Sequence, residues 1–238
     1  MIPEIIHYCW FGRGPMPQQA VECIESWHRY MPDWEYRLWN EDNFDIGSVP
    51  YVSEAYRARK FAFVTDYVRL WALYNFGGVY MDTDVEVLRP YDERLMSLTA
   101  FAGFEGSKHR PLGTGTLASV AGGEWVGEQL VEYDGLHFIL PDGTFDMTSN
   151  VRRITGRMVM NGFIPDGRYQ VYRDMHIFPS DWFCPRQTTM EYLLTENTYC
   201  DHKFAGSWTE GSAMPWYLRM LGRTNVSRLI KLKRRLLG

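Results

Sequence analysis

The 238-residue sequence lacks any apolar run approaching the roughly 18 to 20 residues that a membrane-spanning helix needs. It has no C-x-x-C pair, no internal repeat and no low-complexity tract. The first of these absences argues against a compact zinc or dithiol site, the second against a solenoid, and the third against a disordered linker. The four cysteines, Cys9, Cys23, Cys184 and Cys200, are widely spaced in a chain too long to need staples, and read as reduced thiols of a cytosolic protein. There is no excess of positive charge either. A net charge of −4 makes nucleic acid a poor partner. The N-terminus, Met1 to His7, has no positive region followed by an apolar stretch and reads as a chain without a signal peptide.

Hydrophobic residues at 45% and charged residues at 23% are ordinary globular composition. Aromatics reach 16%, and planar rings in that number line sugar or base sites as well as cores. Charge is unevenly placed. From Gly222 onward there are six basic residues and no acidic one, which leaves the preceding part at −10. Residues 221–238 form a candidate basic amphipathic helix, with Val226, Leu229, Ile230, Leu232, Leu236 and Leu237 on one side. It reads either as an element that docks on anionic membrane or as a helix packed on the body. The body itself, residues 1–220, reads as one domain.

Short apolar runs alternate with helical patterns over the first hundred residues. Ile5 to Trp10, Glu35 to Trp39, Val79 to Met81 and Phe101 to Phe104 read as strands; Gln18 to Met31, Tyr51 to Arg59 and Lys60 to Phe76 read as helices. This is the pattern of an α/β fold with a largely parallel sheet. Further on, Trp125 to Tyr133 and Thr148 to Met160 read as helices, Val171-Tyr172 and Ile177-Phe178 as strands, and Gly113-Thr114-Gly115-Thr116 as a loop.

The strongest chemical signal is Asp82-Thr83-Asp84 directly after an apolar strand. In extended chain, residues i and i+2 face one side, and the carboxyl end of a strand is where open α/β sheets bind ligands. Two hard carboxylates there suit Mg²⁺ or Mn²⁺ shared with a diphosphate, or else are two solvated turn residues. Asp66 and Arg69 share a face of the preceding helix, as a pair holding sugar oxygens or as a surface ion pair; the apolar helix around them disfavours full solvation. His7 lies inside the first strand and reads as a core histidine bonded to backbone.

The stretch from Lys60 through Asp66 and Arg69 to Gly77-Gly78-Val79-Tyr80-Met81-Asp82-Thr83-Asp84 closely resembles the core of glycosyltransferase family 32. These are DXD-containing sugar-nucleotide transferases that include bacterial capsular polysaccharide enzymes, fungal α-mannosyltransferases and the glucosylating domain of large clostridial toxins. Ile2 to Gly12 is similar to that family's first strand, and His202 to Trp208 to its C-terminal motif. The nearest similarity is to short bacterial capsule-type members. The resemblance implies a GT-A fold, a Rossmann-like mixed sheet flanked by helices, and a metal-dependent transfer with retention at the anomeric carbon. It implies that Trp10 stacks on the nucleotide base and that Asp66 and Arg69 bind the donor sugar. Asp82 holds hydroxyls and touches the metal, Asp84 ligates it, and His202 is a further metal or diphosphate ligand. Ser207 and Trp208 close over the diphosphate.

Asp142, Asp146 and Asn150 lie in a polar stretch suited to the acceptor side, with Asn150 supporting the transition state. The expected cofactor is Mn²⁺ or Mg²⁺. The expected donor is UDP-galactose or UDP-glucose, with GDP-mannose as the alternative, and the acceptor a surface-polysaccharide or lipid-linked glycan. The expected location is cytoplasmic, peripheral on the inner face of the membrane. Two other classes use the same residues differently: a metal-dependent phosphohydrolase or nucleotidyltransferase, and a sugar-binding module without catalysis.

Overall fold

Apolar runs too short for helices become strands when helices cover them on two faces. Gly78–Met81 is such a run, with all four residues buried. The computed structural model describes residues 1–106, 111–186 and 192–205, and Met1–Phe204 forms one compact unit. Ser207, Trp208, the expected boundary near 220 and the basic segment 221–238 lie outside the described residues.

In chain order the elements are β1 (Ile5–Cys9), α1 (Gln18–Tyr30), β2 (Glu35–Trp39), α2 (Pro50–Arg57), α3 (Phe61–Phe76), β3 (Gly78–Met81), β4 (Val85–Val87), α4 (Glu93–Met96) and β5 (Ala100–Phe104). Then follow β6 (Leu112–Ser119), α5 (Glu124–Val131), α6 (Asn150–Met160), β7 (Gln170–Tyr172), β8 (Met175–Phe178) and β9 (Cys200–His202). Seven strands form one sheet in the order β2-β1-β3-β6-β5-β8-β7, and β4 pairs with β9 in a separate ribbon.

The α/β class and the helix-flanked mixed sheet hold. The largely parallel sheet does not. β6 runs antiparallel to both β3 and β5, and β7 is antiparallel to β8. Gly113 to Thr116 is the middle of β6 and not a loop, because its glycines permit close approach where side chains would collide: a Cβ on Gly113 would meet the Gly103 carbonyl oxygen at 3.1 Å.

Alternation along β3 sorts its residues. Val79 and Met81 join a core with Ile6, Trp27 and Phe101, whereas Tyr80 enters the opposite core with α3 and α5 residues. α3 is apolar almost all round because it is buried almost all round. It ends at Gly77 (φ 64°) and Gly78 (φ 110°), and a Cβ on Gly78 would lie 2.6 Å from the Ile5 carbonyl oxygen. That turn delivers the chain from helix to central strand. His7 is the core histidine expected: its Nε2 lies 2.8 Å from the Gly77 carbonyl oxygen, and burial lowers its pKa to about 4. All four cysteines are buried and unpaired. Among the described residues no helix is long and apolar enough to cross a membrane.

α1 braces the chain just past Asp84. Trp27, fully buried, donates from Nε1 to the Val85 carbonyl at 2.7 Å, and the Val87 amide donates to Ser26 Oγ at 2.9 Å. Trp27→Phe keeps most of the ring but drops the hydrogen bond, and should lower unfolding free energy by about 1–3 kcal/mol in a denaturant titration. An unchanged midpoint would mean the bond contributes nothing to holding β4.

Candidate active site

β3 carries Asp82 out of the sheet, and the Asp82 amide still donates to the Gly115 carbonyl of β6 at 2.8 Å. The chain then turns at once, with the Val85 amide donating to the Asp82 carbonyl at 3.0 Å. Asp82 and Asp84 therefore converge through a tight turn and not through extended chain. β9 pairs antiparallel with β4 and sets His202 opposite Val85. The His202 Nε2 lies 3.2 Å from Asp84 Oδ1 and 4.0 Å from Asp82 Oδ2.

One ligand atom from each of Asp82, Asp84 and His202 falls within 4.8 Å of the others. Two carboxylate oxygens and an imidazole nitrogen fit a hard to borderline divalent ion, and the imidazole favours Mn²⁺ over Mg²⁺. Burial lowers the His202 pKa, but the hydrogen bond and charge of Asp84, with the charges of Asp82 and Glu105, outweigh it and leave it raised. A metal bound there must displace that proton.

Asp66 and Arg69 are not a surface pair. Their side chains are 12% and 5% exposed, with Arg69 Nη2 3.1 Å from Asp66 Oδ1. Arg69 Nη1 lies 3.2 Å from Asp82 Oδ1 and donates to the Thr114 carbonyl at 2.7 Å. Its Nε donates to the Thr65 carbonyl at 3.2 Å and its Nη2 to Thr65 Oγ1 at 3.3 Å. Four hydrogen bonds and the ion pair with Asp82 thus hold the guanidinium within the protein itself. The guanidinium also sits 4.6 Å from the centre of the Tyr80 ring. Arg69 clamps both Asp66 and Asp82. Burial pushes the Asp66 carboxyl up to about 6, although the Arg69 charge opposes it.

Asn150 opens α6 beside Asp66, to which its backbone N–H donates. Its side chain is 3% exposed and neither amide atom has a partner among the described residues. Asp146 is occupied by Arg153, and Asp142 accepts from the amide and hydroxyl of Thr144 in its own exposed turn. Trp10 is half-buried just past β1, the strand beside β3, and donates from Nε1 to the Gly14 carbonyl at 2.7 Å.

Three contributors escape a reading of the sequence. Tyr80 looks like one more core aromatic, yet its hydroxyl donates to Asp82 Oδ1 at 2.8 Å. Gly115 looks like loop, yet a Cβ there would lie 2.9 Å from the His202 ring and 3.3 Å from Asp82 Oδ2. Glu105 lines a small pocket with Gly113, Gly115, Thr116 and His202, and burial raises its pKa.

Residues 17–101 match the family described as a glycosyltransferase sugar-binding region containing a DXD motif. Inositol phosphoceramide mannosyltransferase 1 of Schizosaccharomyces pombe is 30% identical over 109 residues, 41% of this chain and 33% of that one. Mannosyl phosphorylinositol ceramide synthase CSH1 of Saccharomyces cerevisiae is 29% identical over 105 residues, 42% of this chain and 27% of that one. The chain therefore spans about a third or less of the length of these relatives. Among solved structures, the PaToxG glycosyltransferase aligns with a TM-score of 0.48 at 11% identity, covering 68% of this chain and 70% of that one. The galactosyltransferase LgtC aligns at 0.38 with 14% identity, covering 75% and 74%. The sequence matches support a transferase of the DXD glycosyltransferase class. The relatives named are fungal and mannosyl, and lend no support to a bacterial capsular type.

Two outcomes follow from this geometry. Gly115→Ala should weaken Mn²⁺ binding about tenfold or more while the strand persists, because the methyl displaces the His202 ring; unchanged affinity would remove the cluster as the metal site. A carboxyl with a folded pKa near 6 against 3.8 unfolded holds its proton better when folded, so ionising it between pH 5 and 7 costs the fold about 1 kcal/mol. Asp66→Asn should escape that cost. Its stability relative to wild type should improve by about this amount from pH 5 to pH 7 in paired denaturant titrations, and identical pH slopes would show that Asp66 ionises freely.

Proposed function

We propose that the chain is a metal-dependent glycosyltransferase of GT-A type that moves a hexosyl group from a nucleotide sugar to a hydroxyl of a lipid-linked or glycan acceptor. One observation carries the reading: a three-ligand cation cluster and a buried, arginine-clamped carboxylate meet at the carboxyl end of a central strand. A sugar-binding module without catalysis has no need of a diphosphate site, which is what the cluster beside Asp66 would supply. The fungal relatives favour GDP-mannose as donor, ahead of UDP-galactose or UDP-glucose.

In this reading Asp82, Asp84 and His202 hold Mn²⁺, which when bound supplies Lewis-acid neutralisation of charge on the departing diphosphate. Asp66 accepts from donor-sugar hydroxyls and is kept aimed by Arg69 and the Asn150 amide. The Asn150 side chain, without a hydrogen-bond partner among the described residues, is assigned to support of the sugar in the transition state. Trp10 offers its ring to the base. The family resemblance favours attack from the leaving-group face and retention at the anomeric carbon. The family resemblance assigns Ser207 and Trp208 to the diphosphate, and the basic segment 221–238 is suited by sequence to anionic lipid on the cytoplasmic side; both lie outside the described residues.

Calorimetric titration with GDP-mannose, UDP-galactose and UDP-glucose, in Mn²⁺ and again in EDTA, tests the proposal. GDP-mannose should bind in Mn²⁺ and lose binding in EDTA. Preference for a UDP-hexose would reverse the donor assignment, and binding by none would overturn the transferase reading. Asp84→Ala should abolish transfer with an unchanged circular dichroism spectrum, since its carboxylate serves the cation and not the core. Full turnover in that variant would remove it from the site.

A further inference from the structure

A two-stranded ribbon of three residues a side has little to hold its register. β4 and β9 form such a ribbon, and a slip of one residue would turn His202 to the opposite face. The ribbon also sets two carboxylates directly opposite each other, Glu86 against Asp201, an arrangement that repels unless cations intervene.

Asp201 is completely buried and takes five close contacts. Arg186 donates from Nε at 2.8 and 3.1 Å to its two oxygens and from Nη2 at 2.7 Å. The Tyr192 hydroxyl donates to it at 3.0 Å and Lys203 Nζ at 2.7 Å. Lys203 Nζ also pairs with Glu86, bridging the two strands across the like-charged pair. The Lys203 amide donates to the Asp84 carbonyl at 2.9 Å, tying the end of β9 to a cation ligand.

A fully buried carboxylate paired with more exposed cations adds little stability over an apolar residue of the same volume, but it disfavours any register that strands its charge. Asp201 and His202 are consecutive and point to opposite faces of the ribbon. We infer that Asp201, with Arg186, Tyr192 and Lys203, is a positioning residue for the cation site: it locks β9 so that the His202 imidazole stays against Asp82 and Asp84. This inference rests on the metal reading proposed above.

Mn²⁺ titrated into the full chain and followed by the electron paramagnetic resonance signal of the free ion tests both separately. Wild type should bind, and Asp201→Asn should bind about tenfold or more weakly while retaining a cooperative melt. A lower melting temperature with unchanged Mn²⁺ affinity would make Asp201 structural only and overturn the inference. If Asp201→Asn does not fold, Tyr192→Phe removes one contact without stranding a charge, and should still weaken Mn²⁺ binding measurably; an unaltered affinity in that variant would likewise overturn it. Failure of wild type to bind Mn²⁺ would remove the metal reading and this role together.

Discussion

A guanidinium that is 5% exposed and cannot lose its proton must find its counter-charges inside the protein. Arg69 finds them in Asp66 on its own helix and Asp82 beyond the central strand. Asp66 is the more deeply buried of the two, and the charge of Asp82 adds to the burial that raises its pKa while Arg69 opposes both. The arginine thereby joins a helix, a strand end and, through Thr114, the neighbouring antiparallel strand. Asp82 divides its two oxygens accordingly: Oδ1 answers Arg69 and the Tyr80 hydroxyl, while Oδ2 is turned towards His202. One residue is at once anchored and presented.

The remaining site geometry is a matter of how closely backbone can approach. Gly78 lets α3 turn into β3 against the Ile5 carbonyl, and Gly115 leaves the space that the His202 ring and an Asp82 oxygen occupy. A strand of ordinary residues at β6 would pair equally well with β3 and fill the site with side chains. The glycines there weaken the strand locally and leave room for ligands.

Much of this was legible from residues alone. Apart from the short α4, the helices and strands through Phe104 follow from apolar periodicity, and the Asp82/Asp84 and Asp66/Arg69 pairs stand out because charge interrupts apolar runs. β6 was hidden because Gly-Thr-Gly-Thr has the composition of a loop, and only its two partner strands make it a strand. The antiparallel insertion was hidden for the same reason. His202 was reached through resemblance to a family and not through spacing, since nothing local joins it to Asp84. That Arg69 also binds Asp82 and the Thr114 carbonyl is visible only in the distances. Asp201 and Tyr80 carried no signal at all, one being an ordinary acid before a histidine and the other an ordinary core ring.

The cation cluster draws its members from the middle of the chain and from near the end of the described residues. A ribosome releases residues in order, so Asp66, Arg69, Asp82 and Asp84 are outside the exit tunnel long before His202 follows. By then Arg69 is already available to Asp66 and Asp82, but the ribbon that sets His202 beside Asp84 has yet to form. Closure of β9 on β4 is therefore the last of these contacts that chain order allows.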